Sequence, residues 1–302
     1  MSGLDIEVFG PAHGRDLALI PGWGLGKAAW QPVAGLLAES FRVHLVDLPG
    51  YGGTPASAAG FVDSARALVA ALPAGAIYCG WSLGSLLALQ AAQLAPERVG
   101  ALVLVGATPS FTQRADWPNA QPPELLASFA AAIAADAGTA LPRFVALFNQ
   151  GDTQARAIGR TLNKTLQAGP PADVLQRFIA LLNQGDVQAK AINRSMSQQL
   201  LAAPLPDTVT LLAGLDWLRD VDLRPALAGS RAPALLVHGE NDPLMPLAAA
   251  RWLNAALPGS HLEIFAGAAH APFLNNPELF ARLIGDHFHA PAPDQAARPR
   301  VV

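Results

Sequence analysis

The sequence predicts an α/β protein with a mostly parallel sheet and helices on both faces. Short apolar runs alternate along the chain with longer stretches rich in alanine and leucine. The short runs are apolar on both faces, which is typical of strands in a parallel sheet that is covered on both sides. Most of them end at Gly, Pro or Asp. Because ligands bind beyond the carboxyl ends of parallel strands, the residues after each run are the first functional candidates.

Six strands of four or five residues are predicted: Leu17–Ile20, Arg42–Val46, Ala76–Gly80, Ala101–Val105, Ala234–His238 and Leu262–Phe265. The alternation stops after the fourth run and resumes at the fifth. Residues 108–231, which lie between them, have the composition of helices with Pro-containing breaks. We therefore predict a core of residues 1–107 and 232–290, and a helical lid of residues 108–231 inserted between two strands.

The predicted lid contains a tandem duplication. Arg143–Gln176 aligns with Arg177–Thr210 at a period of 34 residues, with 17 identities. A helical period of this length also occurs in solenoid arrays, but two copies are too few for such an array. We interpret the repeat as the duplication of one helical hairpin.

Composition narrows the class of protein. Of the 302 residues, 51% are hydrophobic and 14% are charged, and the net charge is −3, which argues against nucleic acid as a partner. Charged residues, Pro or Gly interrupt every apolar run, so no membrane span is expected. A single cysteine, Cys79, excludes a disulfide framework and a cysteine-built metal site. The first residues lack the pattern of a signal peptide, so a cytoplasmic protein, taken to be a monomer, is expected. The tail 291–302 is expected to be flexible.

The strongest local motif is Gly80-Trp81-Ser82-Leu83-Gly84. It follows a predicted strand and opens a predicted helix, which is the setting of a nucleophilic serine on a tight turn. Glycines on both sides relieve crowding around the strained residue. The helix N-terminus adds positive potential where an oxyanion would form. The pattern predicts that Ser82 is a catalytic nucleophile.

A serine nucleophile needs a base, and in this arrangement an acid and a histidine follow it in chain order. Asp242 comes shortly after the fifth predicted strand, and His270 comes shortly after the sixth. Asp47 precedes the serine and is expected to brace the turn 48–50. Among the remaining histidines, His44 and His238 are expected to be structural. The others are expected on the surface: His13, His261, His287 and His289.

Acyl transfer also needs donors for the developing oxyanion. The backbone N–H groups of Leu83 and Trp23 are the candidates, the latter in the loop Pro21–Gly24 after the first predicted strand. With these residues the chain resembles the α/β-hydrolases over residues 10–290, and an α/β-hydrolase fold is expected. It departs from their pattern where Pro21 replaces the usual histidine of this loop, so the bracing of the loop is an open question.

A narrower resemblance rests on the sequences GWG, VDLPGYG, GWSLG, PERVGALVLVGATPSF and AAHAPF and on the lid sequence RFVAL. Together they are similar to the pimeloyl-[acyl-carrier protein] methyl ester esterases of biotin synthesis. Trp23 and Trp81 are the most distinctive of the matched residues. The resemblance implies that a methyl ester is cleaved to release methanol, while the other end of the acyl chain is a carrier thioester. It implies no cofactor and no metal.

The resemblance also implies binding residues. An acyl chain would contact Trp23, Ser82, Leu83, Phe111, Phe144, Val145, Ala146, Leu147, Phe148 and His270. An acidic carrier protein bearing the methyl pimeloyl group would contact Arg143, Arg156 and Arg160 in the first copy, and Arg177, Lys190 and Arg194 in the second. Residues 143–199 contain seven basic and three acidic residues, which leaves a charge of −7 for the rest of the chain. Such a basic region would steer an acidic partner, although a solvated helix face has the same composition.

Two other functions are compatible with the sequence. One is a general carboxylesterase that acts on small-molecule esters without a carrier partner. The other is a non-catalytic α/β-hydrolase scaffold that binds a small ligand, against which the complete set of Ser82, Asp242 and His270 argues. The sequence also leaves open whether the first or the second repeat copy lines the acyl channel.

Overall fold

A computed structural model of the chain describes residues 3–148 and 206–289. Most of both repeat copies and the tail 291–302 lie outside the described residues, so the predicted duplication of a hairpin and the flexible tail stay predictions. In the part of the chain that is described, no helix is long and apolar enough to cross a membrane.

In the described residues, seven strands form a single sheet in the order β1-β3-β2-β4-β5-β6-β7. Their bounds are β1 Ile6–Phe9, β2 Arg15–Ile20, β3 Phe41–Val46, β4 Ala76–Trp81, β5 Val99–Val105, β6 Ala234–Gly239 and β7 His261–Phe265. Every pair is parallel except β1 with β3, which is antiparallel. The six predicted strands are confirmed to within two residues at each end. The edge strand β1 was not predicted.

Eight α-helices surround the sheet in the described residues: α1 Gln31–Leu37, α2 Phe61–Ala71, α3 Leu83–Leu94, α4 Pro123–Phe148, α5 Thr208–Asp220, α6 Leu247–Ala256, α7 Pro272–Asn275 and α8 Pro277–His289. Two short 3₁₀ helices span Lys27–Trp30 and Arg224–Gly229. Helices α4 and α5 lie between β5 and β6 in the chain and pack against each other. Asp136 breaks the regular backbone of α4 with a φ of −163° and a ψ of 94°.

The central strand β4 is buried along its whole length. It lies between β2 and β5, and α3 packs on it directly after the chain turns at its carboxyl end. Both faces of such a strand are apolar because helices cover both sides of the sheet. Cys79 is one of its fully buried residues, and burial raises the pKa of its thiol. The sheet therefore provides a rigid base for the residue that follows β4, which is Ser82.

Candidate active site

Ser82 lies at the sharp turn between β4 and α3. Its φ of 56° and ψ of −117° make it the only residue other than glycine with a positive φ in the described part of the chain. Such a conformation costs on the order of 1–3 kcal/mol and persists only where the surroundings enforce it. A Cβ at Gly80 would lie 2.3 Å from the carbonyl oxygen of Gly84, and one at Gly84 would lie 2.4 Å from that of Ile20. Both glycines of the motif are therefore required by close backbone contacts.

Hydrogen bonds within the turn and to the neighbouring strand hold it in place. The N–H of Ser82 donates to the carbonyl of Val105 in β5, at 2.9 Å. The hydroxyl of Ser85 donates to the carbonyl of Gly80 at 2.5 Å. The N–H of Leu83 opens α3, and the first N–H groups of a helix have no acceptor within the helix. It is therefore available to a negatively charged oxygen near Ser82.

Asp242 and His270 form a buried hydrogen-bonded pair. The Nδ1 atom of His270 lies 2.7 Å from Oδ2 of Asp242, and neither side chain is exposed. The other carboxylate oxygen accepts the N–H groups of Leu244 and Met245, both at 2.9 Å. Because an ionised carboxylate only accepts hydrogen bonds, Nδ1 carries the proton and Nε2 is the basic nitrogen of the ring. This is the tautomer that a general base for a serine requires.

The charge of Asp242 is stabilised inside the protein. Burial alone raises the pKa of this carboxyl, but the His270 ring and the N–H of Met245 lower it, and the pKa lies below its ordinary value. His238 is buried behind the carboxylate, with its Nε2 2.8 Å from the carbonyl oxygen of Met245 and 3.6 Å from Asp242 Oδ2. Burial lowers the pKa of His238, so the ring stays neutral and its Nε2–H donates to Met245.

The histidine is adjacent to the serine turn. The indole N–H of Trp81, the residue before Ser82, donates to the carbonyl of His270 at 3.0 Å, and the two rings lie 5.7 Å apart. Gly106, which follows β5 with a φ of 52°, leaves room for the ring: a Cβ there would lie 3.0 Å from Nδ1 of His270. The three predicted residues thus come together at the carboxyl ends of β4, β6 and β7.

The loop Pro21–Gly24, here called the oxyanion loop, lies against the serine turn. A Cβ at Gly22 would approach the Ser82 Cβ to 3.3 Å. The indole N–H of Trp23 donates to the carbonyl of Leu211 in α5 at 2.8 Å, and Trp23 is buried. The N–H of Gly24, whose φ is 78°, donates to the phenol oxygen of Tyr51 at 3.2 Å.

The structure places the other predicted residues as follows. Phe111 is buried in the main core cluster. Arg143 to Phe148 belong to the last turns of α4, and their side chains lie outside the described part. Arg156, Arg160, Arg177, Lys190 and Arg194 also lie outside it. His44 is buried and 2.7 Å from Asp16, and His13 and His261 are exposed.

Asp47, which was predicted to brace the turn 48–50, hydrogen-bonds through its carboxylate to two segments beyond that turn. Its carboxylate accepts the N–H of Gly53 at 3.2 Å and also that of Lys27, beyond the oxyanion loop, at 2.8 Å. Sequence reasoning missed the roles of Tyr51 and Leu211. Tyr51 could have been noticed as a residue just after a strand, but no sequence signal points to a backbone carbonyl such as that of Leu211. Within the described ranges, no group of three or more His, Cys, Asp or Glu residues could hold a metal ion.

Residues 17–277 match the family model described as the alpha/beta hydrolase fold. The fold agrees with solved structures, including an esterase from Exiguobacterium antarcticum, with a TM-score of 0.73, 22% identity and 94% of each chain covered. A bromoperoxidase from Bacillus anthracis has a TM-score of 0.72 and 18% identity, with 93% of this chain and 94% of that chain covered. At these identities the likeness concerns the fold alone. The class of the protein is therefore that of the α/β-hydrolases.

Two relatives share more of the sequence. A pimeloyl-[acyl-carrier protein] methyl ester esterase from Aromatoleum aromaticum is 38% identical over 280 residues, which cover 90% of this chain and 97% of the relative. A protein of the same name from Nitrosomonas europaea is 35% identical over 281 residues, which cover 93% and 97%. The chain belongs to this family of methyl ester esterases, and it is a carboxylic ester hydrolase.

Proposed function

We propose that the protein hydrolyses the methyl ester of pimeloyl-[acyl-carrier protein], giving pimeloyl-[acyl-carrier protein] and methanol for biotin synthesis. The observation that carries the proposal is the 38% identity, over nearly the whole chain, with a relative that bears the name of this activity. The buried Asp242–His270 pair beside the strained Ser82 supports it, because ester hydrolysis needs a nucleophile, a base and an orienting acid. A carrier protein as partner and a cytoplasmic location are part of the same proposal.

In the first half of the proposed reaction, Nε2 of His270 takes the proton of the Ser82 hydroxyl as its oxygen attacks the ester carbonyl. Asp242 holds the ring in the required tautomer through the 2.7 Å contact and stabilises the imidazolium that forms. The N–H groups of Leu83 and Trp23 donate to the carbonyl oxygen as it becomes negatively charged. The imidazolium then gives its proton to the methoxy oxygen, and methanol leaves.

In the second half, His270 takes a proton from water, and the resulting hydroxide attacks the acyl-serine. The same two N–H groups stabilise the second oxyanion. Collapse of this intermediate breaks the bond to Ser82 Oγ, which regains its proton from the imidazolium, and the carboxylic acid is released and loses its proton to water. These steps use only side chains and backbone groups of the chain and water.

The predicted lid supplies the binding part of the proposal. Phe144–Phe148, in the last turns of α4, would line the acyl channel with Trp23 and Phe111. The basic residues of 143–199 would bind the acidic carrier protein that presents the acyl chain. The carrier contacts distinguish this proposal from a general carboxylesterase, which needs the catalytic residues alone.

Replacing the serine tests the proposed chemistry. The variant Ser82→Ala should lower turnover of methyl pimeloyl-carrier protein by on the order of 10⁴-fold or more, because the attacking oxygen is lost. It should also abolish labelling by a fluorophosphonate probe. Methanol release and probe labelling measure both effects, and the exposed Ser57→Ala serves as the matched control. Near-normal hydrolysis by Ser82→Ala would contradict the assignment.

Reversing lid charges tests the carrier partner. The double variant Arg156→Glu/Arg160→Glu should lower kcat/KM for the carrier substrate by about tenfold or more at low salt, since steering by charge falls with screening. Hydrolysis of a short uncharged ester should be unchanged. The double variant Arg66→Glu/Arg282→Glu, at exposed arginines of α2 and α8, is the control for net charge, because it changes the charge by the same four units. Equal kcat/KM of the wild type for both substrates at low salt would instead indicate a general carboxylesterase.

A further inference from the structure

Pro21 replaces the histidine that is usual in the oxyanion loop, so other groups must hold this loop in place. Gly22, which follows Pro21, has no side chain to anchor the loop, and Pro21 has no N–H to donate. The loop must nevertheless present the Trp23 N–H with an accuracy of a fraction of an ångström if that group is to stabilise an oxyanion. Two contacts described above act on the residues at and after this donor.

The first contact comes from the body of the protein. Tyr51 is 3% exposed, and its phenol oxygen accepts the N–H of Gly24, the residue next to Trp23. The backbone of Tyr51 is itself fixed in a tight turn, because its N–H donates to Leu48 and its carbonyl accepts the N–H of Thr54, both at 2.9 Å. Burial raises the pKa of the phenol to about 12, so the group stays uncharged. Tyr51 is therefore a rigid acceptor under the loop.

The second contact comes from α5, the helix that follows the predicted lid. Its Leu211 carbonyl accepts the indole N–H of Trp23 at 2.8 Å. Gly214, on the next turn of the same helix face, lies so close to the indole that an added Cβ would be 2.5 Å from its Cδ1 atom. Asp207 caps the start of α5 by accepting the N–H of Thr210. The helix thus combines a hydrogen-bond acceptor with a glycine that lets the indole approach.

We propose that Tyr51 and the Leu211–Gly214 turn of α5 are the positioning groups of the oxyanion loop. Together they hold the loop in this chain, in which Pro21 replaces the usual histidine of the family. The Trp23 N–H lies between the two anchors, because its own side chain is held by α5 and the next peptide is held by Tyr51. Loss of either anchor would misplace the donor in the transition state. This inference rests on the proposed function, in which that N–H binds the oxyanion.

Two variants test the two anchors separately. Gly214→Ala places a methyl group against the indole, and Tyr51→Phe removes the acceptor of the Gly24 N–H. Each should lower kcat for a short ester by about 10- to 100-fold, somewhat less than the loss of a whole oxyanion donor. KM should stay within about twofold, since ground-state binding does not use the donor fully. Gly285→Ala is the matched control, because it is also a helical glycine and an added Cβ there meets nothing within 4 Å.

A trifluoromethyl ketone provides a readout that a merely structural role would not change. Such ketones bind serine hydrolases as tetrahedral oxyanions, so their affinity should fall by the same factor as kcat in both variants. Circular dichroism checks the fold, and Tyr51→Phe decides the matter alone if Gly214→Ala does not fold. The inference is overturned if folded Tyr51→Phe and Gly214→Ala retain wild-type kcat and ketone affinity, or if KM alone changes. A wild-type rate in Ser82→Ala would overturn the proposed function instead.

Discussion

The environment of Asp242 shows how single residues shape the site. Its carboxylate accepts hydrogen bonds from two backbone N–H groups and from His270, and His238 faces it from behind at 3.6 Å. A buried carboxylate with this many donors remains ionised, which keeps the proton on His270 Nδ1. The arrangement depends on a neutral His238, because a second positive charge at this position would compete with the imidazolium of His270 for the same carboxylate.

The neutrality of His238 predicts a pH dependence of stability. Burial lowers its pKa below the ordinary value of 6.5, so below about pH 6.5 the unfolded chain takes up a proton that the folded chain does not. The free energy of unfolding therefore falls as the pH decreases from 7 to 5. In His238→Gln this decrease should be smaller, whatever the absolute stability of the variant. Urea unfolding at pH 7 and pH 5 measures it, with the exposed His13→Gln as control. An unchanged decrease would contradict this account.

The candidate site was predictable where a residue can be recognised from the short segment around it. Ser82, Asp242 and His270 each follow a strand, and a residue type with a clear chemical role at that position can be recognised from the sequence. The supports of the oxyanion loop were not predictable in this way. The bond from Trp23 to Leu211 joins residues 188 positions apart and ends on a backbone carbonyl, which any residue could supply.

At the scale of elements, the sheet follows from the apolar runs except at β1. None of the four residues of Ile6–Phe9 is buried, whereas β7, the other edge strand, ends in the buried Phe265. A short antiparallel edge strand needs no continuous apolar run, so the pattern that identified the other six strands does not apply to it. The break in α4 was also not predicted, since it falls on Asp136, two residues before the nearest glycine, Gly138.

The contact between α3 and β2 predicts an effect on stability. In Gly84→Ala the new methyl group would meet the carbonyl oxygens of Ile20 and Pro21 at 2.4 and 2.7 Å. Backbone atoms cannot move aside as a flexible side chain does, so the variant should be destabilised by about 1–3 kcal/mol. Gly35→Ala in α1, where an added Cβ meets nothing within 4 Å, should be neutral or stabilised by up to about 1 kcal/mol. Chemical denaturation compares the two, and equal stabilities would refute the contact argument.

At the scale of the whole molecule, the repeat suggests how a duplicated segment is tolerated. Deletion of residues 177–210 joins Gln176 to Leu211 and brings Asp173 to the place of Asp207, whose carboxylate caps α5. The cap that precedes the Trp23 contact would thus be kept. We expect this variant to fold and to hydrolyse a short ester within a few-fold of the wild-type rate. Loss of that activity would show that the second copy is part of the catalytic unit.

The complementary deletion, of residues 143–176, makes a matched pair. It keeps the second copy and the original start of α5, and it removes Phe144–Phe148. Because this deletion joins Pro142 to Arg177 and brings Phe178 to the place of Phe144, point variants of the full chain are needed to assign the channel. If the first copy lines the acyl channel, Phe144→Ala should impair turnover of methyl pimeloyl-carrier protein and Phe178→Ala should not. Impairment by Phe178→Ala alone would assign the channel to the second copy, and equal, negligible effects would contradict both assignments. Steady-state kinetics on both point variants distinguishes these outcomes.

The buried thiol in β4 has a practical consequence. Cys79 is the only cysteine in the chain, it has no exposed surface, and burial raises its pKa. A thiol reagent can therefore modify the native protein only after the sheet opens. The rate of modification of Cys79 therefore reports how often the sheet opens. Because Cys79 does not react in the native protein, dyes or spin labels would attach only to cysteines introduced on the surface. Such labels could follow distances between α5 and the sheet during turnover.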